Sequence, residues 1–162
     1  EGLVVIKNIV REPGDRTKLT VYSNNPTIDP VGACVGMKGT RVQSIVRELK
    51  GERIDIIPWT EDPKMLLIKA LSPAAVEKIG INEEEKSAVV VVSDQQLAVA
   101  IGKKGQNVRL AIKLTGWDID IISESEYAKM KAEELQAIEI QEQPEKKEKT
   151  GKRTQARKDE QT

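Results

Sequence analysis

The chain has 162 residues, with 26 basic and 26 acidic side chains, no histidine and one cysteine, Cys34. These counts exclude an internal disulfide and leave neither a zinc site nor a nucleophile–base pair that relies on histidine. No apolar run approaches the ~20 residues of a membrane span, and a net charge of zero argues against a uniformly basic nucleic-acid coat, so the placement of charge matters more than its sum. The first residues, "EGLVVIKNIV", carry no signal peptide and no initiator Met, and read as part of a longer chain. A lone thiol fits a reducing compartment, the cytoplasm.

"GLVVIKNIV" is predicted to be a strand, turned by "EPGDR" into a second strand at 18–23. Asp29-Pro30 supplies an N-cap and a first-turn proline for a short helix, "DPVGACV". A G-x-x-G turn follows. Next comes a longer helix over 40–50, with Val42, Ile45, Val46 and Leu49 at helical spacing, ended by Gly51. A strand over 53–58 closes this unit. Asp62-Pro63 opens a helix, "DPKMLLIKAL". "AAVEKIGI" and "SAVVVVS" read as strands, and "DQQLAVAI" as a short helix behind Asp94. A second G-x-x-G turn leads into a helix over 106–115, with Val108, Ala111, Ile112 and Thr115 on its apolar face and Gly116 at its end; a strand over 117–122 follows. The segment 126–162 begins helix-friendly and ends in "EQPEKKEKTGKRTQARKDEQT", which is too poor in apolar residues to bury a core and reads as a disordered tail.

The chain repeats itself. Gly36 and Gly39 recur 66 positions on as Gly102 and Gly105, Lys38 as Lys104, Val42 as Val108 and Val46 as Ile112. After one deletion Gly51 matches Gly116, and Ile54-Asp55-Ile56-Ile57 matches Ile119-Asp120-Ile121-Ile122. The organisation expected is therefore α+β, in tandem: a first domain at 1–60 lacking its N-terminal helix, a second at 61–125, and a charged tail at 126–162. Each domain runs helix, strand, strand, helix, helix, strand.

Both turns lie in stretches without acids. Lys38, Arg41 and Arg47 occupy one, and Lys103, Lys104, Arg109 and Lys113 the other. Glycine lets backbone approach a ligand closely. Amides at a helix start lack intrahelical acceptors and, with the helix dipole, favour an anion. Lysines at the same spot point to a phosphodiester. A lone G-x-x-G is weak evidence. Two copies, each between amphipathic helices and before a strand ending in Ile-Ile, form the pattern of a KH domain, whose loop clamps about four nucleotides of backbone. With no Phe, two Trp and two Tyr, the composition suits an aliphatic groove better than an aromatic stacking platform.

The stretches "IVREPGDRTKLTVYS", "DPVGACVGMKGTRVQSIVRELKGERIDII" and "QLAVAIGKKGQNVRLAIKLTGWDIDI" closely resemble the tandem KH region of the bacterial transcription elongation, termination and antitermination factor NusA, over roughly residues 3–123. The resemblance implies two type II KH domains forming one surface for nascent single-stranded RNA, which modulates pausing, termination and antitermination. RNA polymerase and other transcription factors would be engaged through the longer parent protein, with no cofactor, metal, membrane or catalysis. Ser93 stands where the family often has proline.

The candidate RNA-binding residues are Gly36, Met37, Lys38, Gly39, Arg41 and Arg47 in the first copy, and Gly102, Lys103, Lys104, Gly105, Gln106, Asn107 and Arg109 in the second. Gln106 and Asn107 are placed to hydrogen-bond base or sugar. Ile54, Ile56, Ile119 and Ile121 are expected mostly in the core, and Cys34 behaves as a small hydrophobe. Asp55 and Asp120 recur, but one carboxylate per domain makes a poor acid–base pair, so their role is read as structural. The alternatives are a KH-fold docking module for protein partners, without RNA affinity, and an RNA-processing enzyme. The shortage of histidine and of clustered acids disfavours the second.

Overall fold

The β-branched-rich runs "VVIKNIVRE" and "RTKLTVYS" form strands β1 (Val4–Glu12) and β2 (Arg16–Ser23), paired antiparallel around the Pro13-Gly14 turn. Two short helices, α1 (Pro30–Val35) and α2 (Thr40–Glu48), lead to β3 (Arg53–Pro58), which lies parallel to β2 and completes a sheet of order β1-β2-β3. The second module repeats this behind an added helix: α3 (Pro63–Ala70), β4 (Lys78–Asn82), β5 (Ser87–Val92), α4 (Leu97–Ile101), α5 (Gln106–Thr115) and β6 (Asp118–Ser123), with sheet order β4-β5-β6 and β6 parallel to β5. The computed structural model describes residues 2–137. Residues 1–124 form one compact unit. A second unit begins at residue 125; its described residues, 125–137, are helical, and the stretch read as a disordered tail lies beyond the described residues from 138 on.

Local signals set most boundaries. Asp62 accepts a hydrogen bond from the Lys64 amide (3.1 Å) with Pro63 in the first turn of α3. Asp29 sits at the cap of α1 without making the side-chain bond, and Asp94 lies inside a 3₁₀ turn rather than capping α4. The one-residue difference between the repeats falls at the end of α2, where Lys50 and Gly51 are both left-handed; α5 stops at Gly116 alone. β4 begins at Lys78, not Ala74, because the Ala74 amide bonds back to Leu71 O and the Ala75 amide to Gln96 Oε1, outside any ladder.

Helix α5 departs most from expectation. Its buried residues are Asn107, Leu110, Ala111 and Leu114, a single stripe turned by about 100° from the expected Val108, Ala111, Ile112 and Thr115 face. Ala111 and Leu114 join the core of their own module with Leu67, Leu71, Val90 and Ile119, while the helix also packs on β1 and β2 of the first module. Ile57 rather than Ile54 or Ile56 is the buried isoleucine of β3, because its face turns toward the second module; Ile54 and Ile56 line an open aliphatic groove with Val42 and Ile45. Ile119 is buried as expected, Ile121 half-buried, and Ile122 buried beside them.

Charged residues hold this seam. Lys18 has no exposed surface; its Nζ donates to Asp55 Oδ2 (2.8 Å) and to Ser72 O (2.7 Å), joining β2, β3 and the segment after α3. Burial pushes this ammonium below its ordinary pKa, opposed by Asp55. Glu52, also fully buried, accepts from Arg11 (2.8 Å), Thr17 Oγ1 (2.7 Å) and the Gly14 amide (2.9 Å), tying the hairpin turn to the start of β3. Hydrogen bonds from Arg11 and then Thr17 hold its carboxyl at about 2, against an ordinary 4.5. A carboxyl depressed by folding stabilises the fold above its unfolded pKa, and that contribution is lost as pH falls through the folded value. The thermal midpoint is therefore expected to fall as pH drops from about 5 toward 2. Glu52→Gln should lower the midpoint at pH 7 and flatten this acid limb, read by circular dichroism melts across the range.

Candidate nucleic-acid interface

The two G-x-x-G turns have nearly the same backbone. Gly36 (φ 78°, ψ 173°) and Gly102 (79°, 168°) reverse the chain after α1 and α4. Lys38 (54°, 27°) and Lys104 (56°, 27°) are left-handed, as are Gly39 and Gly105 after them. A Cβ on Gly36 would lie 2.7 Å from Arg41 Cγ, and one on Gly102 2.7 Å from both Asn107 Cβ and the Asn107 amide. No other residue fits this approach, and the positive φ adds strain for any L side chain.

Within each turn a helical residue, Met37 or Lys103, precedes a left-handed one, Lys38 or Lys104. This αR–αL succession points consecutive amides into one concavity, an anion-binding nest. The amides of Gly36, Gly39 and Thr40 are bonded to Gly32 O, Gly36 O and Met37 O, and those of Gly102, Gly105 and Gln106 to Ala98 O, Gly102 O and Lys103 O. Those of Met37, Lys38, Lys103 and Lys104 have no acceptor in the described chain. Lys38, Lys103 and Lys104 are exposed and in no ion pair among the described residues.

The other candidate residues do different work. Arg41 folds back so that Nη1 donates to Ala33 O (2.7 Å), bracing the first turn on the preceding helix. Asn107, its counterpart in the repeat, is buried. Its amide donates to Leu71 O (3.0 Å) and Ala100 O (2.9 Å), and its oxygen accepts from Arg16 (3.2 Å). It therefore offers nothing to a base or sugar; it holds the turn from behind. Arg109 donates to Lys104 O (2.9 Å) and to Glu12 (2.6 and 3.0 Å), and Gln106 Nε2 reaches the same carboxylate (2.5 Å). These bonds, Arg109's first, hold the Glu12 carboxyl at about 2 and raise the Arg109 pKa. Arg47, in the last turn of α2, stands about 10 Å along the helix from Thr40 and is not gathered at the turn.

Sequence reasoning missed the seam partners Glu12, Arg16 and Lys18, which read as ordinary surface charge. A cleft of about 520 Å³, lined by Gly14, Arg16, Gly51, Arg53, Gly102 and Lys103, opens there between the first module's turns and the second clamp. The aliphatic groove of the first module, about 320 Å³, runs between α2 and β3 with half-buried Cys34 in its wall. Asp55 is engaged by Arg16 (3.0 Å) and Lys18, a structural role, while Asp120 is exposed.

Comparison with known proteins bears on the family of both modules. Residues 1–59 match the family of NusA-like first KH domains, and residues 63–129 that of NusA-like second KH domains. Among curated relatives, the transcription termination/antitermination protein NusA of Halalkalibacterium halodurans is 58% identical over 139 residues, covering 86% of this chain and 35% of the relative. That of Bacillus subtilis is 56% identical over 126 residues (78% and 34%), and that of Thermus thermophilus 55% over 119 (74% and 31%). The chain thus spans about a third of the length of these relatives. Among solved structures, the crystal structure of APE1850 superposes with a TM-score of 0.53 at 25% identity, covering 74% of this chain and 88% of that one. With both modules matched in order, the chain belongs to the NusA-like KH-domain family.

Proposed function

We propose that the two modules, as domains 1–60 and 61–125, bind single-stranded RNA without catalysis, each nest and its lysines gripping the sugar–phosphate backbone. The observation that carries this reading is the duplicated turn, in which consecutive amides and ammonium groups without partners among the described residues converge. Gly36, Met37, Lys38 and Gly39, with Gly102, Lys103, Lys104 and Gly105, form the contact surface. Arg41, Asn107 and Arg109 position it. In the parent protein this module would hold nascent RNA while other parts engage RNA polymerase, in the cytoplasm, so that pausing, termination and antitermination respond to the transcript. No helix among the described residues is long and apolar enough to cross a membrane.

Fluorescence anisotropy with an unpaired RNA 12-mer tests the reading. Three lysines meeting phosphates predict a slope of about −2 in log affinity against log salt, at roughly −0.7 per contact on a single strand. Absence of salt-sensitive affinity, alongside a stable complex with a protein partner, would instead make the modules docking surfaces.

A further inference from the structure

The repeat equates Met37 with Lys103, and the two turns differ by only a few degrees of backbone. The fold of the turn therefore does not require an apolar side chain there. Yet Met37 is 83% exposed, more than any other large hydrophobic among the described residues, and it projects beside the unbonded amides of the first nest. The free cations are likewise unequal. The first turn offers the Lys38 ammonium alone, because Arg41 is folded onto Ala33 O. The second offers Lys103 and Lys104 together.

Resting on the RNA-binding reading, we infer that the two clamps divide the contact: Met37 lays its thioether on the face of an unpaired nucleobase at the first clamp, whereas the second clamp grips phosphate by charge. A methionine has three rotatable bonds and a polarizable sulfur that packs on aromatic rings. Every base presents a π face, so this contact tolerates sequence. Aromatic side chains do not compete for the role at the first clamp: Tyr22 and Trp59 pair with each other at 6.0 Å, under Lys7. The first clamp then adds affinity that salt does not screen. The second supplies most of the salt dependence.

The test uses the full chain, an unpaired RNA 12-mer and a ribose–phosphate oligomer of the same length without bases. Met37→Ala should weaken binding to the 12-mer about two- to tenfold, leave the salt slope unchanged, and leave binding to the base-free oligomer unchanged. Met37→Lys should steepen the slope by about 0.7. Melting curves matching the unaltered chain establish that these exposed substitutions leave the fold intact. Salt-sensitive binding of the 12-mer that is indifferent to Met37→Ala, or an equal loss on both oligomers, overturns the assignment of Met37 alone. Failure of the unaltered chain to bind either oligomer overturns the RNA reading, and this inference with it.

Discussion

Lys103→Asp together with Lys104→Asp is expected to lower affinity for an unpaired RNA about 100-fold at low salt, while leaving the melting midpoint within about 2 °C. The pair changes the charge at one nest by four units and replaces two attractions with two repulsions of the phosphate it would hold. Removing two single-strand contacts should also flatten the salt slope by about 1.4. The fold is spared because both lysines are exposed and outside the ion pairs, where substitutions cost within about 0.5 kcal/mol. Aspartate suits the test at Lys104, whose φ of 56° is left-handed, since aspartate tolerates that region better than most residues. Lys38→Asp should act in the same direction with about half the change in slope. Arg109 makes a poor probe, because its loss also removes two of the three hydrogen bonds that tie Glu12 to the second module. Anisotropy titrations over a salt series, paired with melts, read both quantities. Unchanged affinity with an intact fold would place the anion elsewhere.

The features legible in the sequence are those written within a few residues. The G-x-x-G turns, the Asp62-Pro63 start of α3, the glycine stops after α2 and α5, and the β-branched runs of the strands each depend on local backbone preference, and the duplication made them stand out. The seam between the modules is illegible by the same logic. Arg16 and Lys18 fall on alternate positions of β2, on what reads as a solvent face, yet α5 and the segment after α3 cover it. Glu52 meets Arg11 across 41 positions and Gly14 across 38. No local pattern announces a carboxylate whose partners are so distant. The direction of the buried face of α5 is missed for the same reason: the helix packs on β1 and β2 as well as on its own module, and those strands are far away in sequence. The site inherits this error, since Asn107 beside a clamp looks like a base reader until the neighbouring module is in place.

Asn107→Ala is expected to destabilise the protein by about 3 kcal/mol, a fall of about 10 °C in the melting midpoint for a chain of this size, and to weaken RNA binding at the second clamp. Asn107 is 2% exposed, and its carboxamide serves three elements: Leu71 O ahead of β4, Ala100 O in α4, and Arg16 of the other module. Truncation strands two buried carbonyls and one guanidinium N–H, each costing about 1–3 kcal/mol when unpaired, offset where water enters the vacated space. Asn107→Asp is the sharper control. It keeps the volume and the acceptor for Arg16, but turns a carboxylate oxygen toward two carbonyl oxygens in place of a donor, so it should be at least as damaging. At the first clamp Arg41→Ala removes one exposed hydrogen bond and should cost no more than about 1 kcal/mol. The equivalent position is therefore welded into the inter-module seam in one copy and bonded within its own module in the other. If Asn107→Ala melts like the unaltered chain, the seam does not brace the second clamp. If it melts early yet binds RNA with undiminished affinity below its midpoint, the nest forms without that support.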